Sequence, residues 1–168
     1  MILVALGANL PSPVHGGPVA TLTAALAEMN RQGIEILKAS RWYETAPVPI
    51  SDQPWYVNAV AAVATDMVPA VLLTRLHAIE ATFGRVRGFV NAPRVLDLDL
   101  LSYEDRQSRD WPLLPHPRLQ ERAFVLLPLR DVAPEWRHPV TGEPIEAMLA
   151  RIGPEQQTRL LEPPAGLL

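Results

Sequence analysis

The stretch VLDLDLLSY, residues 95–103, alternates: Asp97 and Asp99 fall on one side of an extended chain, and Leu96, Leu98 and Leu100 fall on the other. Alternation with a period of two belongs to a half-buried strand, because a helix would scatter those leucines around its axis. The strand therefore lies in a sheet with one packed face, and its other face carries two carboxylates about 7 Å apart along the chain. Asp is a poor strand former and like charges on one face repel. A sheet built around this strand must offer something that compensates for the pair.

The rest of the chain supplies that sheet. Residues 2–6 read as a short apolar strand ended by Gly7, and Leu22, Ala25, Leu26 and Met29 follow helical spacing over 19–31 before Gly33. IEILKASRWYE, residues 34–44, reads as one strand, and YVNAVAAVAT, residues 56–65, as the next, antiparallel to the first. Pro69 suits the first turn of a helix whose stripe is Leu72, Leu76, Ile79 and Phe83, closed by Gly84. The order β-α-β-β-α-β predicts a ferredoxin-like α+β core, an antiparallel sheet with helices packed on it in two layers. A C-terminal helical extension follows, with AFVLLPLRDVAP and a short helix near 144–152. One domain over 1–168 is expected, with 155–168 as a loose tail.

Composition narrows the partners. A net charge of −3 provides no general field for nucleic acid or an anionic membrane, so any anion must be held by local arginines. Lys38 is the only lysine, and there is no cysteine to form a disulfide, a nucleophile or a thiolate metal site. MILVALGANL lacks a basic start and is too short to span a membrane. A cytoplasmic monomer is the expectation.

Two carboxylates without histidine or thiol form a hard-oxygen set suited to magnesium, which keeps waters and completes its shell on substrate phosphates. A lone D-x-D equally describes a solvated acidic strand face. The flanks, however, hold Arg85, Arg87 and Arg94 in GRVRGFVNAPR, and His116, Arg118 and Arg122 in LPHPRLQER. Such parts make either surface ion pairs or a phosphoryl-transfer site. No G-x-x-x-x-G-K-[ST], G-x-G-x-x-G or H-E-x-x-H is present. His15, His77 and His138 stay unassigned, with His77 an ordinary helical residue.

Taken in order, LGANL, YETAPV, DQPWYVNAV, FGRVR, APRVLDLDLL and LPHPRLQERAFVLLPLRDVAP resemble the 6-hydroxymethyl-7,8-dihydropterin pyrophosphokinase family of folate biosynthesis. The resemblance implies transfer of the β,γ-pyrophosphoryl unit of ATP to the pterin hydroxymethyl oxygen, leaving AMP. It implies that Asp97 and Asp99 bind two Mg2+ ions, and that Arg85 and Arg94 reach the phosphates with help from Arg87. It gives Glu80, His116 and Arg122 as nucleotide contacts, with Leu100 near the adenine. Tyr56 and Phe124 resemble the rings that sandwich the pterin, and Asn58, Thr45 and the backbone near Val48 its edge contacts. Gly7 and Asn9 resemble the family's first-loop turn. Pro49 stands where the family commonly has glycine, and Pro117 where some relatives carry an aromatic. Loops 11–18, 46–54 and 85–94 are expected to be mobile and to close over ligand. The competing readings are another Mg-dependent nucleotidyl or phosphoryl transferase, or an inactive ferredoxin-like binding module.

Overall fold

A computed structural model describes residues 1–47, 51–84 and 95–161. Val48, Pro49, Arg85, Arg87 and Arg94 lie outside the described residues.

Strand β1 (Ile2–Ala8) lies in the interior of the sheet, and Gly7 lies inside the strand rather than at its end. Helix α1 (Pro18–Arg31) begins with proline at its first turn and buries Leu22, Ala25 and Met29. β2 (Glu35–Ala39) and β3 (Tyr43–Thr45) follow, then β4 (Tyr56–Ala64), α2 (Pro69–Thr82) and β5 (Asp97–Tyr103). Both β5 and β4 flank β1 antiparallel to it, and β2 and β3 share the outer edge of β4. Each helix thus carries the chain across a neighbouring strand, which is the ferredoxin-like arrangement that the order of elements predicts. A short 3-10 turn (Leu119–Glu121), α3 (Ala123–Val132), α4 (Ile145–Leu149) and β6 (Thr158–Leu160) complete the chain.

Three further expectations change. The strand read over 34–44 is two strands, because Ser40 turns its side chain into the ladder. Its hydroxyl donates to the Arg41 carbonyl (2.7 Å) and accepts the Val60 amide (3.0 Å), which breaks the regular pairing. The segment expected as a loose tail contributes β6, which pairs antiparallel with β3.

The third change concerns the layers. Ile2, Val4, Leu6, Val57, Val63, Leu98 and Leu100 pack against α1 and α2. Leu3, Val60, Ala62 and Leu101 point the other way and pack against Val125, Leu126 and Leu129 of α3 and Ile145 and Met148 of α4. The molecule has three layers rather than two, because the C-terminal helices cover the second sheet face. A register shift between Leu3 and Val4 makes Leu101 the extra residue of β5. Beyond it Tyr103 turns to the α2 side, where its hydroxyl donates to the Met67 carbonyl at 2.6 Å. Ahead of the bulge the alternation holds, so Asp97 and Asp99 share the α3 side. That helix shields only part of the face, and the remainder is the floor of a cavity.

Candidate active site

One row of the sheet sets the geometry. Asp97 of β5 lies opposite Gly7 of β1, Gly7 opposite Asn58 of β4, and Asn58 opposite Tyr43 of β3. Asp99 lies opposite Ala5 one step along. Residues opposed in an antiparallel ladder share a face, so one rigid surface carries both carboxylates and the Asn58 amide. Above it is a cavity of about 240 Å³ lined by Thr45, Tyr56, Asn58, Asp97, Asp99 and Phe124 among others. Every expected pterin residue that is described lines it, together with both aspartates.

The Asn58 amide is oriented by its neighbours. Its Nδ2 donates to Thr45 Oγ1 at 2.8 Å, and both residues are buried. Gly7 allows the strands to meet beneath this amide, because a Cβ at Gly7 would stand 2.9 Å from Asn58 Oδ1. Close approach, rather than a turn, is therefore the use of this glycine. Asn9, just beyond the strand, is 1% exposed and donates to Gln53 Oε1 (3.1 Å) and to the Pro54 carbonyl (3.3 Å). It fastens the end of β1 to the segment entering β4. The loop expected to move over 11–18 bonds to itself, with Ser12 and Gly16 exchanging backbone hydrogen bonds at 2.7 and 3.0 Å.

The expected nucleotide contacts divide. Arg122 lines the cavity with its guanidinium 5.4 Å from the Phe124 ring, and Arg118 lines it too. His116 is held by its backbone amide on the Leu101 carbonyl (2.8 Å), and its Nδ1 accepts the Arg118 amide at 3.2 Å. Burial, reinforced by the Arg122 charge and opposed by Asp97, pushes the imidazole down to about 4. It is therefore neutral near pH 7. His116, Glu80 and Leu100 are not among the residues that line the cavity. Leu100 is enclosed by the α1 and α2 core, as strand alternation requires. Glu80 is 1% exposed on α2, and its Oε2 accepts the amide of Leu98, the residue between the two aspartates, at 2.9 Å.

The unassigned histidines are accounted for. His138 Nδ1 accepts the amides of Val140 (3.2 Å) and Thr141 (3.3 Å) and closes a turn. His77 sits on α2 with its ring 6.4 Å from Trp111, and His15 meets Phe83 edge-on at 5.1 Å. Among the lining residues that sequence reasoning missed are Gln53, Glu121 and Gln156. Gln53 stands inside the quoted motif DQPWYVNAV and was within reach; Gln156 had no local signal.

Two carboxylates on one strand face are hard oxygen donors of the kind that could hold a divalent cation. Among the described residues no group of three or more acidic, histidine or cysteine side chains could hold a metal alone. Oxygen-only donors, too few to close a shell, fit an ion that keeps open positions for water and phosphate oxygens. Among the described residues no helix is long and apolar enough to cross a membrane.

Comparison with known proteins gives the frame for this geometry. The family model for 7,8-dihydro-6-hydroxymethylpterin-pyrophosphokinase matches residues 3–134. A Pseudomonas aeruginosa 2-amino-4-hydroxy-6-hydroxymethyldihydropteridine pyrophosphokinase is 41% identical over 152 residues, covering 89% of this chain and 90% of that protein. The Synechocystis protein of the same description is 39% identical over 153 residues, covering 89% of this chain and 75% of its own. The folic acid synthesis protein fol1 of Pneumocystis carinii is 38% identical over 152 residues, and this chain spans 20% of its length. Among solved structures, a Plasmodium falciparum HPPK-DHPS triple mutant with SDX-DHP superposes with a TM-score of 0.68 at 16% identity. It covers 89% of this chain and 43% of that one, and at this identity shows the fold alone.

Proposed function

The chain belongs to the 7,8-dihydro-6-hydroxymethylpterin-pyrophosphokinase family, and from that premise we propose that the cavity beside Asp97 joins ATP to a hydroxymethyl-dihydropterin in folate biosynthesis. The hydroxymethyl oxygen attacks the β-phosphorus of ATP. A new oxygen–phosphorus bond forms, the bond from the β-phosphorus to the α,β-bridging oxygen breaks, and AMP leaves with that oxygen. The hydroxyl proton passes to solvent.

The observation that carries this reading is the row Asp97, Gly7, Asn58: one sheet face holds carboxylates and a buried amide, and the reading gives the first to the phosphates and the second to the pterin. Asn58 offers a donor and an acceptor to the amino–oxo edge of a pterin, and its bond to Thr45 fixes which faces where. Tyr56 and Phe124 supply rings for a flat heterocycle. Asp97 and Asp99 are the residues that would hold Mg2+, which when bound neutralises the polyphosphate and polarises its oxygens. Arg122 and Arg118 place positive charge at the same wall, and Arg85, Arg87 and Arg94 are assigned to the phosphates by family resemblance. Neutral His116 presents a ring nitrogen rather than a charge to the nucleotide. Glu80 and Leu100 act from behind the strand, holding β5 so that both carboxylates keep one orientation.

The test is product analysis with ATP, magnesium and the hydroxymethyl pterin. AMP and a pyrophosphorylated pterin are expected, and Asp97→Ala should lower kcat at least ~100-fold with an unchanged circular dichroism spectrum. ADP or free pyrophosphate as product, no AMP at all, or a fully active Asp97→Ala would each defeat the reading.

A further inference from the structure

The last described segment of the chain lies beyond the residues matched by the family model, yet it runs along the cavity wall. β6 adds itself to the edge of β3, setting Thr158 opposite Thr45, Arg159 opposite Glu44 and Leu160 opposite Tyr43. Its ends are fastened as well: the Ala46 amide donates to the Gln157 carbonyl at 3.1 Å, and the Leu161 amide to the Trp42 carbonyl at 2.9 Å. Arg159 pairs with Glu44 at 2.6 Å and lies 4.4 Å over the Trp55 ring. This much would serve any strand that only covers a sheet edge.

Gln156 does something an edge strand does not need. It leaves the ladder, lines the cavity, and spends both ends of its amide on backbone groups across the opening. Its Oε1 accepts the Ala123 amide at 2.9 Å, and its Nε2 donates to the Glu121 carbonyl at 2.7 Å. Ala123 is the first residue of α3, whose cap residue Arg122 makes no side-chain capping bond of its own. Early helix amides lack partners within the helix, and here one partner comes from 33 positions away. The two bonds bracket Arg122 and adjoin Phe124, the residues assigned to nucleotide and pterin.

We infer that residues 156–161 are a latch of the active site, in which Gln156 is a positioning residue that holds the backbone around Arg122 and Phe124 against the sheet edge carrying Thr45. One wall of the pterin slot is Thr45 with Asn58, and the other is Phe124. The latch bonds to both walls, so it sets their separation. The inference rests on the pterin assignment made above for its substrate, though not for its geometry.

Gln156→Ala and Gln156→Glu test it. The glutamate keeps an acceptor for the Ala123 amide and loses the donor to the Glu121 carbonyl, so it also serves if the alanine variant folds poorly. Gln156→Ala is expected to raise KM for the pterin about tenfold, the scale on which small misplacements act, with kcat within about threefold. It should also speed hydrogen exchange at the Ala123 amide. Gln156→Glu should raise the same KM while leaving Ala123 protected. An unchanged pterin KM in both variants overturns the latch, and so does faster exchange at Ala123 without a change in KM. Wild-type protein that makes no AMP would defeat the pyrophosphokinase reading instead, and the exchange result would then decide the latch geometry alone.

Discussion

At the scale of single residues, the pterin side of the proposed site turns on a small side chain and a fixed amide. Gly7→Ala adds one carbon 2.9 Å from Asn58 Oδ1, and Asn58 cannot retreat without weakening its 2.8 Å bond to Thr45. The expected result is a KM for the pterin raised about tenfold, equivalent to ~1.4 kcal/mol, while KM for ATP stays near wild type. Steady-state kinetics with each substrate varied in turn checks this split. The two histidines whose charged forms burial disfavours set the sign of an expected pH dependence. His116 is held at about 4 and His138 below its ordinary value, both first by burial. Each binds its proton in the unfolded chain near pH 6.5 and not in the native one. Stability of the metal-free protein should therefore fall as pH drops from about 6.5 towards the lowered native values. His138→Asn keeps an acceptor for the Val140 and Thr141 amides and removes one of the two protons. Denaturation midpoints measured between pH 7 and 4.5 should then fall less steeply than in wild type.

At the scale of elements, α3 must be anchored firmly, since its first turn is a cavity wall. Near its other end Asp131 meets the linker between β2 and β3: Arg41 donates through its side chain (2.9 and 3.1 Å) and its amide (3.1 Å), and the Tyr43 hydroxyl lies 3.0 Å away. Burial opposes ionisation of Asp131, and the Arg41 and Tyr43 bonds outweigh it, keeping the carboxyl below its usual range. Tyr43→Phe removes the hydroxyl and keeps the buried ring, and should cost about 1 kcal/mol in chemical denaturation. The same linker shows where sequence reading succeeds and fails. Helices α1 and α2 were legible because stripes such as Leu72, Leu76 and Ile79 report the core directly. The break at Ser40 was not, because it arises from a hydroxyl bonding to β4, twenty residues along the chain. β6 was invisible for a related reason: its three residues carry no period, and the free edge of β3 makes them a strand. The aspartate pair was legible because alternation alone fixes its side of the sheet. The use of Gln156 needed the third dimension.

At the scale of the whole molecule, the sheet is sandwiched where α3 and α4 cover its second face and open where they stop, and the cavity occupies that step. The cavity is lined by β1, β3, β4, β5 and α3 together, elements that separate on unfolding, so the binding energy of a ligand held there should appear almost entirely as added global stability. A ligand at about 100 times its Kd contributes ~2.7 kcal/mol, or roughly 5–10 °C in Tm for a domain of this size. Pterin alone and MgATP alone should each raise Tm on this scale, through contacts on different walls. Chelation with EDTA should abolish the ATP increment and spare the pterin increment, because Asn58, Thr45 and the two rings require no cation. Asp97→Ala should reproduce the effect of EDTA, with the pterin shift intact. If EDTA removes both increments equally, the carboxylates and the pterin slot are not separable parts of one cavity, and the division of the site along the row from Asp97 to Asn58 is wrong.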